Sequence, residues 1–183
     1  MTRFLKYTVT AIVWGVMFSL PVWADQAELD KLFEQLKAAD AQNVDAIEQE
    51  IVAQWSRSGS PAADLLLQRG REAIVAGDLG AAIAHLTALT DYAPNFAEGW
   101  NARATAFFQA GMLGPSVDDI GKVLALNPRH FGAMSGMALI LEELGDPVRA
   151  LKMYRQIEVL APHRPSVTDA IERLDKETDG QDL

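Results

Sequence analysis

Cysteine is absent from all 183 residues. That excludes a disulfide framework, a lipid-modified cysteine and cysteine metal ligands. Positive charge is scarce as well, with 16 Lys and Arg against 25 Asp and Glu. Nucleic acid needs a positive face to meet its phosphates, so no nucleic-acid partner is expected. The same excess of acid disfavours docking on an anionic membrane surface. Long apolar runs are missing except near the start, where Tyr7 to Leu20 carries no charge. This run falls short of the roughly 20 residues that comfortably span a bilayer.

That uncharged run follows Arg3 and Lys6 and ends at Pro21, with Val22, Trp23 and Ala24 behind it. A positive segment, an apolar core and a small residue at the end of a Val-x-Ala pattern form the three parts of a secretory signal peptide. Residues 1–24 therefore read as an exported leader cleaved after Ala24, with periplasmic localisation expected; a retained membrane anchor is the alternative. Removing the leader takes away Arg3 and Lys6, leaving 14 basic residues against 25 acidic and a formal charge of −11. Residues 25–183 suffice for one domain with a core.

What is present is periodicity. Gly77, Gly111 and Gly145 recur at a spacing of 34, and so do Pro94, Pro128 and Pro162. With units at 63–96, 97–130 and 131–164, bulky positions align too: Leu66 with Trp100 and Met134, Leu86 with Ile120 and Tyr154, Leu89 with Val123 and Ile157. Small residues align at Gly70, Ala104 and Ala138, and again at Ala82, Ser116 and Ala150. Leu66, Gly70 and Ala73 are four and three residues apart, which places them on one helical face. Each unit therefore reads as a helix hairpin. The glycines end the first helix, where a left-handed residue costs least, and the prolines stop the second. Asp146 followed by Pro147 reads as a cap and first helical position.

These markers resemble the tetratricopeptide repeat, best in unit two with Trp100, Ala104, Phe107, Gly111 and Pro128. The resemblance covers 63–164 and implies an all-α fold, a right-handed superhelix of three helix hairpins. Departures are Arg69, Arg103 and Met137 where leucine is usual, and Ala73 where tyrosine is expected. The flanks read as caps, which stacked repeats need. Residues 25–57 give an N-terminal helical hairpin, from Leu29, Leu32, Phe33 and Leu36 and then Val44, Ile47, Ile51 and Trp55; a degenerate extra repeat is less consistent with Leu36 at a small-residue position. Ser56 to Pro61 is a turn or short linker. A C-terminal capping helix is expected over 165–176, from a capping box at Ser166 and Asp169 and an apolar stripe of Val167, Ala170, Ile171 and Leu174. Residues 177–183 read as a disordered acidic tail.

Candidate chemistry is thin. His85, His130 and His163 show no i, i+4 pair, so neither a metal nor another cofactor is expected. His130 and His163 follow repeat-ending prolines and read as solvated turn residues. Asp118 with Asp119, and Glu142 with Glu143, diverge by about 100° on a helix and cannot form a catalytic dyad. No catalytic residue is assigned, and the chain reads as a non-enzyme. Trp100, Phe107 and Tyr154 are expected in the core. By the family's geometry Arg103 faces Asp119, and the pair would clamp unit two. Arg69 has His85 where that acid would stand.

The resemblance further implies a ligand groove along the first helix of each unit. The positions carried over include Asp64, Leu67 and Arg71, then Glu98, Asn101, Ala102, Thr105 and Phe108, then Gly132, Ser135, Gly136, Leu139 and Glu142. Binding is expected to centre on Leu67, Arg71, Asn101, Thr105, Phe108 and Leu139. The clamp with which some members of the family grip a C-terminal carboxylate needs Lys and Asn; Leu67, Arg71, Ala102, Gly132 and Gly136 stand in those places, so the clamp is missing. The expected partner is a protein or a neutral or basic peptide with an apolar anchor, held by a periplasmic scaffold. A membrane-tethered assembly subunit, or an enzyme with an unrecognised site, is the alternative.

Overall fold

The computed structural model describes residues 21–179. The leader reading thus lies outside the described residues except for its last four positions, as do residues 180–183 of the tail. Nine helices occupy the described chain: α1 Pro21–Ala38, α2 Val44–Trp55, α3 Pro61–Val75, α4 Leu79–Tyr92, α5 Ala97–Gln109, α6 Leu113–Leu126, α7 Phe131–Glu143, α8 Pro147–Leu160 and α9 Pro165–Asp179. None is long and apolar enough to cross a membrane.

Local chemistry sets most of the boundaries. Gly77, Gly111 and Gly145 take φ of 75°, 71° and 72° just past the ends of α3, α5 and α7. A side chain would strain that left-handed turn, so glycine belongs there. The Asp78 and Asp146 carboxylates accept from Ala81 N at 3.0 Å and Arg149 N at 2.9 Å, satisfying donors at the starts of α4 and α8. The helices α4, α6 and α8 each stop two residues before Pro94, Pro128 and Pro162.

Each pair α3–α4, α5–α6 and α7–α8 is a packed hairpin, and successive pairs stack. Small residues allow the close approach. A Cβ on Gly70 would run into the Leu86 side chain, Ala82, Ala138 and Ala150 are fully buried, and Ser116 is buried and donates to Ala104 O at 2.8 Å. Trp100 packs partly buried against the unit-two core and Tyr154 is buried. Phe107 departs from expectation: it is half-buried, with the Arg103 guanidinium 5.6 Å from its ring centre. Its neighbour Phe108 packs instead against the cluster of Ala104, Ile120, Val123, Ala133 and Ile140.

The C-terminal helix starts at Pro165, one residue before the capping box expected at Ser166; proline fits the first helical turn, whose N–H groups lack partners anyway. Val167, Ala170, Ile171 and Leu174 are buried against α8. The helix also runs on through residues 177–179, where a disordered tail was expected. Half-buried Thr178 donates back to Leu174 O at 2.9 Å and carries the last turn.

The N-terminal hairpin does not stack on unit one. Leu32, Phe33, Leu36, Val44 and Ile51 share one core with Phe131, Met134, Tyr154, Ile157 and Leu174 from α7, α8 and α9. Polar contacts mark where it lands. Arg129 donates to Asp30 at 2.7 Å and lies over Phe33, Arg164 faces Glu48 at 3.5 Å, and Trp55 stacks on His130 with ring centres 4.4 Å apart. Residues 129, 130 and 164 belong to the turns between units. The hairpin therefore lies against those turns and clamps the far end of the stack.

Candidate functional site

The six residues expected to bind fall into two cavities. Leu67 and Arg71 line one of about 510 Å³ along α3, together with Asp64, Gln68, Glu72 and Val75. Asn101, Thr105, Phe108 and Leu139 line another, of about 220 Å³, between α5 and α7. Leu67 is only 2% exposed and belongs to the unit-one core, so it forms a floor rather than a free anchor. Arg71 is not free either: its guanidinium pairs with Glu98 and donates to Ser56 Oγ at 3.1 Å. Ala102 is buried against α3 and α4 and presents nothing to a ligand.

The smaller cavity exists because its α7 wall is built from Gly132, Ala133 and Gly136. Its hydroxyls are already spent on backbone carbonyls: Thr105 donates to Asn101 O at 3.0 Å, Ser135 to Phe131 O at 2.9 Å and Ser116 to Ala104 O. No ionisable side chain lines it. An apolar side chain can fill such a space without stranding a polar partner, whereas a charged one would be desolvated without compensation. Leu139, 49% exposed, and Ser135 also border a third cavity with Glu142, Tyr154 and Arg173, so the groove continues toward α9. There Glu142 accepts from the Tyr154 hydroxyl at 2.8 Å and pairs with Arg173 at 2.6 Å. Burial first, then that hydrogen bond, raises the Tyr154 pKa to about 12, so the phenol stays a donor.

Beneath the groove lies a polar network the sequence did not disclose. His130, read as a solvated turn residue, is buried at 2% exposure. Its Nδ1 caps α7 by accepting from Ala133 N at 3.1 Å, and its Nε2 bonds Glu98 at 2.9 Å. Burial accounts for the difference, because Trp55 and the docked hairpin seal a turn that would otherwise be open to solvent. Glu98, carried over as a groove position, is buried at 4% exposure and holds His130, Arg71 and Asn101 at once. Burial alone would raise its pKa, but His130, then Arg71 and Asn101, bring it below the usual carboxylate value. An acid in the first turn of α5, 32 residues ahead of a histidine opening α7, was the available sequence signal.

The clamp in unit two is present. Arg103 makes two bonds to Asp119, at 2.7 and 2.8 Å, and adds one to Thr90 at 2.9 Å. Among the described residues no group of three or more His, Asp or Glu is arranged to hold a metal ion.

Comparison with known proteins accords with this geometry. The tetratricopeptide repeat family matches residues 67–113. A TPR repeat-containing protein of Rhizobium etli is 37% identical over 147 residues, which span 80% of this chain and 72% of the relative. Among solved structures, the first TPR of Spaghetti (RPAP3) bound to an HSP90 peptide superposes with a TM-score of 0.62 at 22% identity, covering 66% of this chain and 95% of that one. A thermophilic TPR protein of Thermus thermophilus gives 0.57 at 18% identity, covering 84% and 82%. With the repeat visible in the sequence, the stacked hairpins in the fold and a relative matched over most of both chains, the protein belongs to the tetratricopeptide-repeat family.

Proposed function

We propose that this chain is an exported binding module that holds a protein or peptide partner in its groove and carries out no chemistry of its own. The observation that carries the reading is the apolar cavity of about 220 Å³ between Asn101, Thr105, Phe108 and Leu139. It has the size and lining to take one apolar side chain of a guest. Asn101 stands at its mouth to meet a guest's backbone. The partner is a neutral or basic segment with an apolar anchor, since the chain is strongly acidic. The Spaghetti domain in the matched structure carries an HSP90 peptide; here Leu67, Ala102, Gly132 and Gly136 provide no cation for a terminal carboxylate and Arg71 is already paired with Glu98, so a side-chain anchor takes its place.

The compartment is the periplasm, on the strength of the leader pattern in residues 1–24. Intact-mass measurement of protein from its native host should give a chain beginning at Asp25; a chain still carrying Met1 would favour the tethered alternative. The groove is tested by affinity capture from envelope extracts, with the partners read by mass spectrometry. Thr105→Trp and Leu139→Glu change exposed residues at the cavity and leave the cores alone. Both should lose the same partner while keeping the wild-type melting midpoint. Retention of every partner by both variants would remove the groove from consideration.

A further inference from the structure

The first helix of each unit has another face, turned toward the unit before it, and the three units treat that face differently. In unit two it carries Trp100 and Arg103, and α4 lies over it. Thr87 and Thr90 accept from Arg103 at 3.3 and 2.9 Å, and Trp100 Nε1 donates to Pro94 O at 2.9 Å. Asp91 adds a favourable charge, and Asp119 neutralises the guanidinium from within the unit. In unit three the positions of Arg103 and Asp119 hold Met137 and Met153, an apolar pair that needs no ion, and α6 packs on α7. Unit one has Arg69 and His85 there. Arg69 is exposed, and no described carboxylate lies within ion-pair distance of it. The helices packed against α3 are α4 and α5, because the N-terminal hairpin is docked at the other end. Leu65 beside it is 46% exposed. A face that the chain seals twice is thus bare at the one unit whose arginine lacks an acid.

We propose that this open end is a second docking surface, distinct from the groove, and that its occupant is a helix of another protein carrying a carboxylate and hydroxyls spaced as Thr87, Thr90 and Asp91 are on α4. The template is the chain's own α4–α5 contact, continued by one step in the direction where the stack ends. Charge and spacing together select the occupant. The first 20 residues of this chain contain no Asp or Glu and bring Arg3 and Lys6, so they cannot satisfy Arg69. A two-fold pair of this chain would set the face against itself, with arginines and no acid on either side. The exposed side of α9 does carry acids, Asp169, Glu172 and Glu177, but none follows a pair of hydroxyls three residues apart as Asp91 follows Thr87 and Thr90, so a head-to-tail copy would meet Arg69 with charge alone and not with the α4 pattern.

The test uses the full chain and fluorescein-labelled, lactam-bridged helices on a soluble Gln/Ala scaffold, one presenting Thr, Thr and Asp at the α4 spacing and one with Lys in place of Asp. Anisotropy should show the Asp helix bound by the wild type about ten-fold more tightly than the Lys helix. Arg69→Glu, at an exposed position, should reverse that order, while Leu139→Glu should leave it unchanged. Equal binding of both helices, no binding of either, or an order untouched by Arg69→Glu would overturn the proposal. Self-association of the wild type that Arg69→Glu abolishes would also overturn it, because a second copy would then be the occupant. Loss of groove partners in the Thr105 and Leu139 variants is read separately, so the two sites stand or fall independently.

Discussion

Arg103 is 14% exposed and its partner Asp119 only 6%, so their pair is largely desolvated. Such a pair costs much to break and little to replace, because removing one partner strands the other charge. Unit three already holds the replacement, Met137 with Met153. Asp119→Ala should therefore destabilise by about 3 kcal/mol, whereas Arg103→Met with Asp119→Met should fall within about 1 kcal/mol of wild type. Urea midpoints of the two variants decide this. The Glu98 carboxylate makes a different prediction. Its folded pKa lies below the ordinary 4.5, so its contribution to stability is fully present above that value and lost as pH falls through the folded one. Melting midpoints should drop below about pH 4.5 in the wild type, and the drop should be shallower in Glu98→Gln. The Arg103 clamp was legible in the sequence because both residues occupy fixed positions of a repeat. The Glu98 and His130 bond was not, since it joins two units and depends on a third element, the hairpin, to exclude water.

At the scale of the helices, the repeat register was readable because each marker has a local cause: a left-handed glycine, a proline stop, a small residue under a neighbour. Gly70 is the most exacting of these. Gly70→Ala would push a Cβ into Leu86, a fully buried side chain, and should cost about 1 to 3 kcal/mol despite alanine's better helix propensity. A gain in the denaturation midpoint would show that α3 and α4 can separate freely. The hairpin was readable as two amphipathic helices, but its landing place was not. Amphipathicity tells which face is buried, not against what, and the seat includes the turn residues Arg129, His130 and Arg164, which lie outside the helical stripes. Trp55 binds it there, touching His130 at 4.4 Å and Phe131 at 5.0 Å between ring centres. Trp55→Ala should destabilise by about 3 to 5 kcal/mol. Hydrogen exchange should show protection lost first in α1 and α2, with α4 and α6 still protected. Uniform loss across all helices would mean that the hairpin is not a separable layer.

Across the whole molecule, a stack of repeats ordinarily has contacts only between neighbours, and stability spreads along it one interface at a time. The hairpin breaks that rule, because Asp30 meets Arg129 across 99 residues of sequence. Non-local closure of this kind comes late in folding, after the entropy of a long loop has been overcome. Trp55→Ala should accordingly speed unfolding and leave the refolding rate nearly unchanged in stopped-flow fluorescence or circular dichroism. There is also a consequence for biosynthesis. The ribosome delivers α1 and α2 first, with Leu32, Phe33 and Leu36 sticky and homeless, and supplies their seat on α7 only after roughly a hundred more residues, at about 5–20 residues per second. For several seconds the nascent chain carries a greasy ribbon with nowhere to go, which is when a holding chaperone would be most useful to it.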